Sequence, residues 1–432
     1  MDEQTNRGWR WGVGPVALAL TLGAPLTACN YELHNDVITD ASTDTGGDET
    51  ATGETGSTGS TGGDETTMAS ETDGGETDTT EPPPDFPPVN EPGPHNVGFR
   101  TMDVVYTPDL PGSAARVLEV AVWYPTADTS GVPAKYFDFV DREEVYLQAH
   151  PIPDTQLPVL LFSHGNGGVA EQTFTLCEHF ASHGWLVIAP DHTDNTLIDI
   201  DPDLIPLMVL LRPQDIIASL EAVRDLPADD PLVDKVGDEI VMSGHSFGGY
   251  TTLALAGGAF DVQALEDDCG LDPSGIACEA LADPNYKARL EQGFGDSRID
   301  VALPLAPGAV LLFGEAGLGA IDIPVQLSTA SLDETTPDSE DGDPAWAGLN
   351  GADDRRVEYL TGGHYTFTYA CAAGLIEGDG CGDEFIDPEL AADVLNAYTL
   401  GFARARLWGD ESVRALLDGD ESLTDEVVVQ TP

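Results

Sequence analysis

Apolar and polar residues alternate over 99–106 and again over 117–123, the period of strands with one face in solvent. A turn rich in Pro, Gly and Ser at 108–113 separates them, so the pair predicts an antiparallel hairpin. From Pro158 the pattern changes to unbroken apolar runs at 159–162, 186–189, 240–242, 301–303 and 325–327, with segments of helical period between them. Such runs suit strands buried on both faces, and their alternation with helices predicts a mostly parallel central sheet with helices on both sides. A last helix is expected over about 388–407, where Leu390, Val394, Ala397 and Leu400 share one face. The apolar run 204–211 reads as core, with a wall facing a lipid-like substrate as the alternative. The acidic, Gly- and Pro-bearing stretch at about 260–296 interrupts the alternation, and it reads equally as a cap or lid near the functional site or as a tolerated surface excursion.

The folded unit so defined spans about 95–417, followed by a tail at 418–432. Ahead of it, residues 29–94 are dominated by Thr, Ser, Gly, Glu, Asp and then Pro. This composition buries too little surface to offset the entropy of ordering, so it predicts a tether. About fifty such residues reach roughly 40 Å. At the start of the chain, Arg7 and Arg10 precede a mostly apolar run at 11–26 that is short and interrupted for a membrane span but suits a signal-peptide core. Leu26-Thr27-Ala28-Cys29 resembles a bacterial lipobox, which implies removal of residues 1–28, a lipid on Cys29, and a place in the bacterial envelope, with Asn30 favouring the outer membrane. An ordinary signal peptide with an incidental cysteine is the competing reading.

Charge excludes one class of partner. With 17 Lys+Arg against 77 Asp+Glu, a formal net charge of −60 repels a polyanion, so no nucleic-acid role is expected. Six cysteines suit an oxidising compartment. With Cys29 assigned to lipid, Cys269 with Cys278 and Cys371 with Cys381 form sequence-local candidate disulfides, and Cys177 reads as a buried free thiol.

The candidate chemistry begins at Ser243-Gly244-His245-Ser246-Phe247-Gly248-Gly249-Tyr250, between a predicted strand and a predicted helix. This is the G-x-S-x-G nucleophile elbow in the context it requires, and small residues at Gly244 and Gly248 let the serine stand on a tight turn. A hydroxyl needs a base to take its proton, and imidazole has the matching pKa. Of the nine histidines only His364 follows Ser246, in a Gly-Gly-His loop after strand-like 357–360. For the acid that orients it, Asp333 is favoured by its place directly after the strand near 325–327, with Glu334 and Asp338 close enough to compete. Backbone amides of Asn166, in Ser163-His164-Gly165-Asn166-Gly167-Gly168, and of Phe247 are the expected oxyanion donors. That Gly-rich turn lacks the Lys of a phosphate loop. His192 reads as a structural histidine or a pocket wall. No metal and no cofactor are expected.

With these residues placed, the chain resembles the α/β-hydrolase family that groups bacterial dienelactone hydrolases with platelet-activating-factor acetylhydrolases. The stretches that carry the resemblance are 121–126, 158–168, 183–192, Arg212-Pro213-Gln214-Asp215-Ile216, the Ser246 elbow and the His364 loop. It implies an α/β-hydrolase fold and a carboxylic-ester hydrolase acting through an acyl-enzyme on a small-molecule or lipid ester. In the acetylhydrolases the acid follows the sixth strand; here Ala302-Leu303-Pro304-Leu305 offers no carboxylate, which places the acid at Asp333, as in dienelactone hydrolases. An amidase or peptidase of the same fold is one rival. The other is a non-catalytic surface lipoprotein that binds a ligand or partner.

Overall fold

The computed structural model describes residues 86–153, 156–273 and 275–432. The expected signal segment 1–28, Cys29 and the tether as far as residue 85 lie outside the described residues.

The chain opens with β1 (Asn96–Tyr106) and β2 (Arg116–Thr126), paired antiparallel over their whole lengths as the alternation predicts, followed by β3 (Pro133–Tyr136) and β4 (Val140–Leu147). Strands β5 (Leu157–Ser163), β6 (Leu186–Pro190), β7 (Val236–His245), β8 (Val301–Leu305), β9 (Gln326–Ala330) and β10 (Arg355–Tyr359) are the parallel set, and β11 (Val427–Gln430) closes one edge. Among the described residues they form one sheet in the order β11-β10-β9-β8-β7-β5-β6-β2-β1-β4-β3. Helix α1 (Phe174–Ser182) leads from β5 to β6 on one side of it, and α2 (Met208–Arg224) leads from β6 to β7 on the other. The order of growth therefore reverses at β5. In an open α/β sheet such a reversal leaves a crevice beyond the strands' carboxyl ends, where ligands bind.

Strand pleat sorts the core into two layers. Val159, Leu161, Ile188 and Met242 face α2 and α3 (Phe247–Leu255), whereas Leu160, Phe162, Val187 and Val241 face α1 and the C-terminal helix. All eight side chains are fully buried, the condition that makes these strands read as unbroken apolar runs. The run 204–211 supplies buried Met208–Leu211 at the start of α2, in agreement with the core reading.

The stretch at 260–296 folds into α4 (Val262–Leu271), α5 (Cys278–Ala282) and α6 (Pro284–Gln292), with the Cys269–Cys278 disulfide joining the first two. Of these, α6 packs on α2, α5 packs on the turn before α2, and α4 packs on α5 and α6. Beside α6 a cavity of about 500 Å³ has Tyr106, Pro213, Ile217, Arg289 and Phe294 on its walls; Ser246, Asp333 and His364 are not on those walls. After β8 come α7 (Gly314–Leu318) and α8 (Gly342–Gly348), and then α9 (Pro388–Trp408), close to the expected 388–407. Asp387 caps the first two amides of α9 and Gly409, at φ 66°, ends it.

Both boundaries of the domain move outward from the sequence reading. The segment 418–432, expected as a tail, supplies β11, whose Val427–Gln430 pairs antiparallel with β10 and covers an edge that would otherwise expose unpaired backbone groups. The end of the expected tether is also packed. Phe86 stacks on Trp408, Val89 is buried, and the Pro87 carbonyl accepts from Arg404 (2.7 Å). Cys177 is a fully buried free thiol whose pKa burial pushes up.

Candidate active site

Strand register brings the candidate groups to one rim. β5 pairs with β7 so that Ser163 faces Gly244, which sets the 163–168 turn beside His245 and Ser246. β9 pairs with β10 so that Ala330 faces Tyr359, and the loops bearing Asp333 and His364 leave the sheet side by side. β8 bridges the two pairs, and its Leu305 carbonyl accepts the Ser246 N–H (2.9 Å).

Ser246 sits at φ 58°, ψ −116°, between the last residue of β7 and the first of α3. That left-handed backbone costs a residue with a side chain of order 1–3 kcal/mol and persists only because its surroundings over-determine it. The glycines supply the room. A Cβ on Gly248 would lie 1.8 Å from the Ser163 carbonyl oxygen, and one on Gly244 would lie 2.5 Å from that of Gly248.

The expected base and acid meet. His364 Nδ1 donates to Asp333 Oδ2 at 2.9 Å, and both side chains are buried. The Thr336 hydroxyl donates to the same oxygen (2.8 Å), while the amides of Thr335 and Thr336 donate to Oδ1 (2.9 and 2.6 Å). A carboxylate so saturated is fixed in place, and because it accepts from Nδ1 the imidazole keeps its lone pair at Nε2. Gly308 ties this pair to the serine: its N–H donates to the Ser246 carbonyl (3.0 Å), and a Cβ on it would lie 3.1 Å from Thr336 Cγ2. The competing carboxylates are elsewhere. Glu334 is exposed, and Asp338 pairs with Arg356 (2.5 Å).

In the turn after β5, Gly165 N donates to Gln172 Oε1 (3.1 Å), Gly167 N to the Asn195 carbonyl (3.1 Å) and Gly168 N to the Gly165 carbonyl (3.1 Å). Among the described residues the Asn166 N–H, between them, meets no protein acceptor. Phe247 N is the first amide of α3, at the positive end of the helix dipole.

Several positioning groups escaped the sequence reading. Gln172 donates to His245 Nδ1 (2.8 Å), and His245 Nε2 donates to the His364 carbonyl (2.9 Å). The turn after β5, the elbow and the His364 loop are thus one chain of bonds. Burial, and after it the nearby His364, push the His245 pKa far down, so this ring is a neutral link. Arg212 is fully buried, donates to the carbonyls of His164 (2.5 Å) and Gly165 (2.9 Å) and to Asn195 Oδ1 (2.9 and 2.7 Å), and lies over the Phe247 ring. Burial lowers its pKa to about 9 although Asp215 opposes the shift. His192 joins Ser163 Oγ (2.8 Å) to Asp215 Oδ2 (3.0 Å). This second Ser-His-Asp set is entirely buried, so no substrate reaches it, and it pins β5 to the loop after β6. Arg212 and Asp215 stood in a stretch singled out above, but no local signal told of a partner 48 residues away.

Asp341 gives a pH-dependent prediction. It is 1% exposed; Oδ1 accepts from Val310 N (3.2 Å) and Oδ2 has no partner among the described residues. Burial, with Asp333 and Glu340 adding to it, raises its pKa from 3.8 to about 7. Between those values the folded protein holds a proton that the unfolded chain has released, so the stability from this group is full below 3.8 and lost as pH rises through about 7. Asp341→Asn is expected to melt with wild type at pH 4 and several degrees higher at pH 8. An equal shift at both values would refute the assignment.

Among solved structures, the ferulic acid esterase from Streptomyces cinnamoneus matches with a TM-score of 0.56 at 23% identity, covering 78% of this chain and 96% of that one. The fold is that of the α/β-hydrolases. A family model described as Chlorophyllase matches residues 143–285 of this chain, a segment that holds the turn after β5 and Ser246 and stops before Asp333 and His364. No curated protein matches.

Proposed function

We propose that this α/β-hydrolase cleaves carboxylic esters through an acyl-enzyme. The observation that carries the reading is a buried Asp333–His364 hydrogen bond on the same sheet rim as a left-handed Ser246. Ser246 Oγ attacks the ester carbonyl carbon as its proton passes to His364 Nε2, and the Asn166 and Phe247 amides receive the oxyanion. Collapse expels the alcohol, which takes that proton. Water then loses a proton to His364 and attacks the acyl carbon, and a second collapse returns the proton to Ser246 Oγ and releases the acid. Asp333 accepts from Nδ1 throughout and holds the imidazolium. The Chlorophyllase match over the elbow and the shared fold of a solved esterase support this reading.

The substrate side is read from the rim. The loop after β6 is tied to the oxyanion turn, with Leu197 N donating to the Gly168 carbonyl (3.2 Å), and it is held in shape by Asp199, which accepts from the amides of Asp194 and Thr196 (3.0 Å each). It presents Leu197 and Ile198 at 70% and 90% exposure, while Ile200 Cδ1 lies 3.5 Å from where a Gly167 Cβ would be. Clustered aliphatics on a rigid loop favour a substrate with an apolar arm. A lipid on Cys29 and the acidic tether would put this activity at the outer side of a bacterial membrane, and the two disulfides suit that compartment.

The test is hydrolysis of p-nitrophenyl esters against the matching anilides, with fluorophosphonate labelling of Ser246. Ester turnover well above anilide turnover is expected, and no labelling would sink the proposal. Replacing Leu197 and Ile198 by Ser is expected to lower kcat/KM for the octanoate about tenfold, the scale of one partly buried aliphatic side chain, and to spare the acetate. An unchanged octanoate-to-acetate ratio would remove the rim from the substrate site.

A further inference from the structure

One short segment holds both loops that carry Asp333 and His364. The Cys371–Cys381 disulfide closes a loop whose tip, Gly378-Asp379-Gly380, has positive φ at all three residues (79°, 48° and 110°). Gly378 and Cys381 exchange backbone hydrogen bonds across it (2.8 and 3.1 Å), which makes the tip a tight turn of the mirror-image hairpin kind. Glycines take that conformation freely. Asp-Gly is also a residue pair that this turn favours, so Asp379-Gly380 suits the tip and the Asp379 side chain reaches beyond it.

The Asp379 side chain makes its contacts outside the turn. Oδ1 accepts from His364 N and from Glu334 N, both at 2.9 Å, and Oδ2 accepts from the Thr335 hydroxyl (2.6 Å). Its carbonyl accepts from Tyr365 N (2.9 Å). The base loop is shaped to admit it, since a Cβ on Gly363 would lie 2.3 Å from Gly380 N. On the near side of Asp333 the two loops are joined by Leu332 N to the Gly362 carbonyl (2.9 Å). On the far side the clamp on Glu334 and Thr335 is Asp379. The acid is therefore gripped on both flanks, and the base is gripped at its own amide.

We propose that Asp379 is a positioning residue that sets the Asp333–His364 geometry, and that the Cys371–Cys381 disulfide serves activity by holding Asp379 in place. It rests on the ester-hydrolase reading. Asp379 touches backbone and a threonine hydroxyl, never the imidazole, so it acts on rate through alignment and leaves substrate binding alone. Misalignment of a base by a fraction of an ångström to one ångström costs up to about a hundredfold in rate.

The experiment compares wild type, Asp379→Ala, Asp379→Asn, Cys371→Ser/Cys381→Ser and, as control, Cys269→Ser/Cys278→Ser. It measures kcat and KM for p-nitrophenyl butyrate, the rate of fluorophosphonate labelling and the melting temperature. Asp379→Ala is expected to lose roughly 10- to 100-fold in kcat and in labelling rate, with KM within about twofold. Asp379→Asn keeps an acceptor at Oδ1 and is expected to recover to within about fivefold of wild type. The Cys371→Ser/Cys381→Ser protein should follow the alanine variant, and the Cys269→Ser/Cys278→Ser protein should keep wild-type kcat. Wild-type kcat in Asp379→Ala overturns the proposal. Should that variant not fold, wild-type kcat in Cys371→Ser/Cys381→Ser overturns it instead. A wild-type protein that neither labels nor hydrolyses ester defeats the ester-hydrolase reading, a different and recognisable result.

Discussion

Ser246→Ala is expected to lower kcat for short p-nitrophenyl esters by about a millionfold, to the level left by the oxyanion donors and binding alone, and to abolish fluorophosphonate labelling. The size follows from the geometry. Ser246 is held at φ 58° by glycines that have no room for a Cβ, so no neighbouring hydroxyl can take its place above the sheet. The nearest other serine in the site, Ser163, has its Oγ bound to His192 and is fully buried. Alanine fits the turn, because the side chain it keeps stops at Cβ, and the melting temperature should stay within a degree or two. A variant that retains more than a thousandth of wild-type activity would assign the nucleophile elsewhere.

Asp333→Asn is expected to cost about four orders of magnitude in kcat, whereas Asp338→Asn should leave kcat within about twofold. At position 333, two backbone N–H groups donate to Oδ1, so an Asn keeps its carbonyl oxygen there and turns its NH2 toward His364 Nδ1. That NH2 makes Nδ1 an acceptor and moves the ring proton to Nε2, the atom that has to be the base. Asp338 is engaged by the buried Arg356 instead, and its loss should appear as about 1.5–3 kcal/mol of stability by denaturant unfolding, the range for a hydrogen bond to a charged group. Exposed Glu334→Gln should be silent in both measurements. Loss of activity at 338 with 333 unaffected would reverse the assignment.

Much of the fold was legible because burial on both faces writes itself into local composition. The 159–162, 186–189 and 240–242 runs are β5, β6 and β7, and alternation over 99–106 and 117–123 is the β1–β2 hairpin. Strands β3 and β4 were not read, since Val140–Leu147 is mostly polar and half exposed at the sheet's far edge. β11 was missed for a related reason: four residues at the end of an acidic segment carry too short a pattern to separate from a tail.

What the sequence by itself determined is the local chemistry. A strand-turn-helix with glycines two positions either side of Ser246, a single histidine downstream of it and a Gly-rich turn after an apolar strand are all contiguous signals, and each reflects a steric or protonation requirement met within a few residues. Only the tertiary structure decided the rest: that Asp333 and not Asp338 reaches His364, that Arg212 and Gln172 brace the turn after β5, and that Asp379 grips two loops from inside a disulfide. These contacts join residues 7 to about 50 positions apart, and a bond between side chains brought together by sheet register leaves no periodicity in either segment. The pairing is a property of which strands lie adjacent, and adjacency is settled by packing the whole sheet.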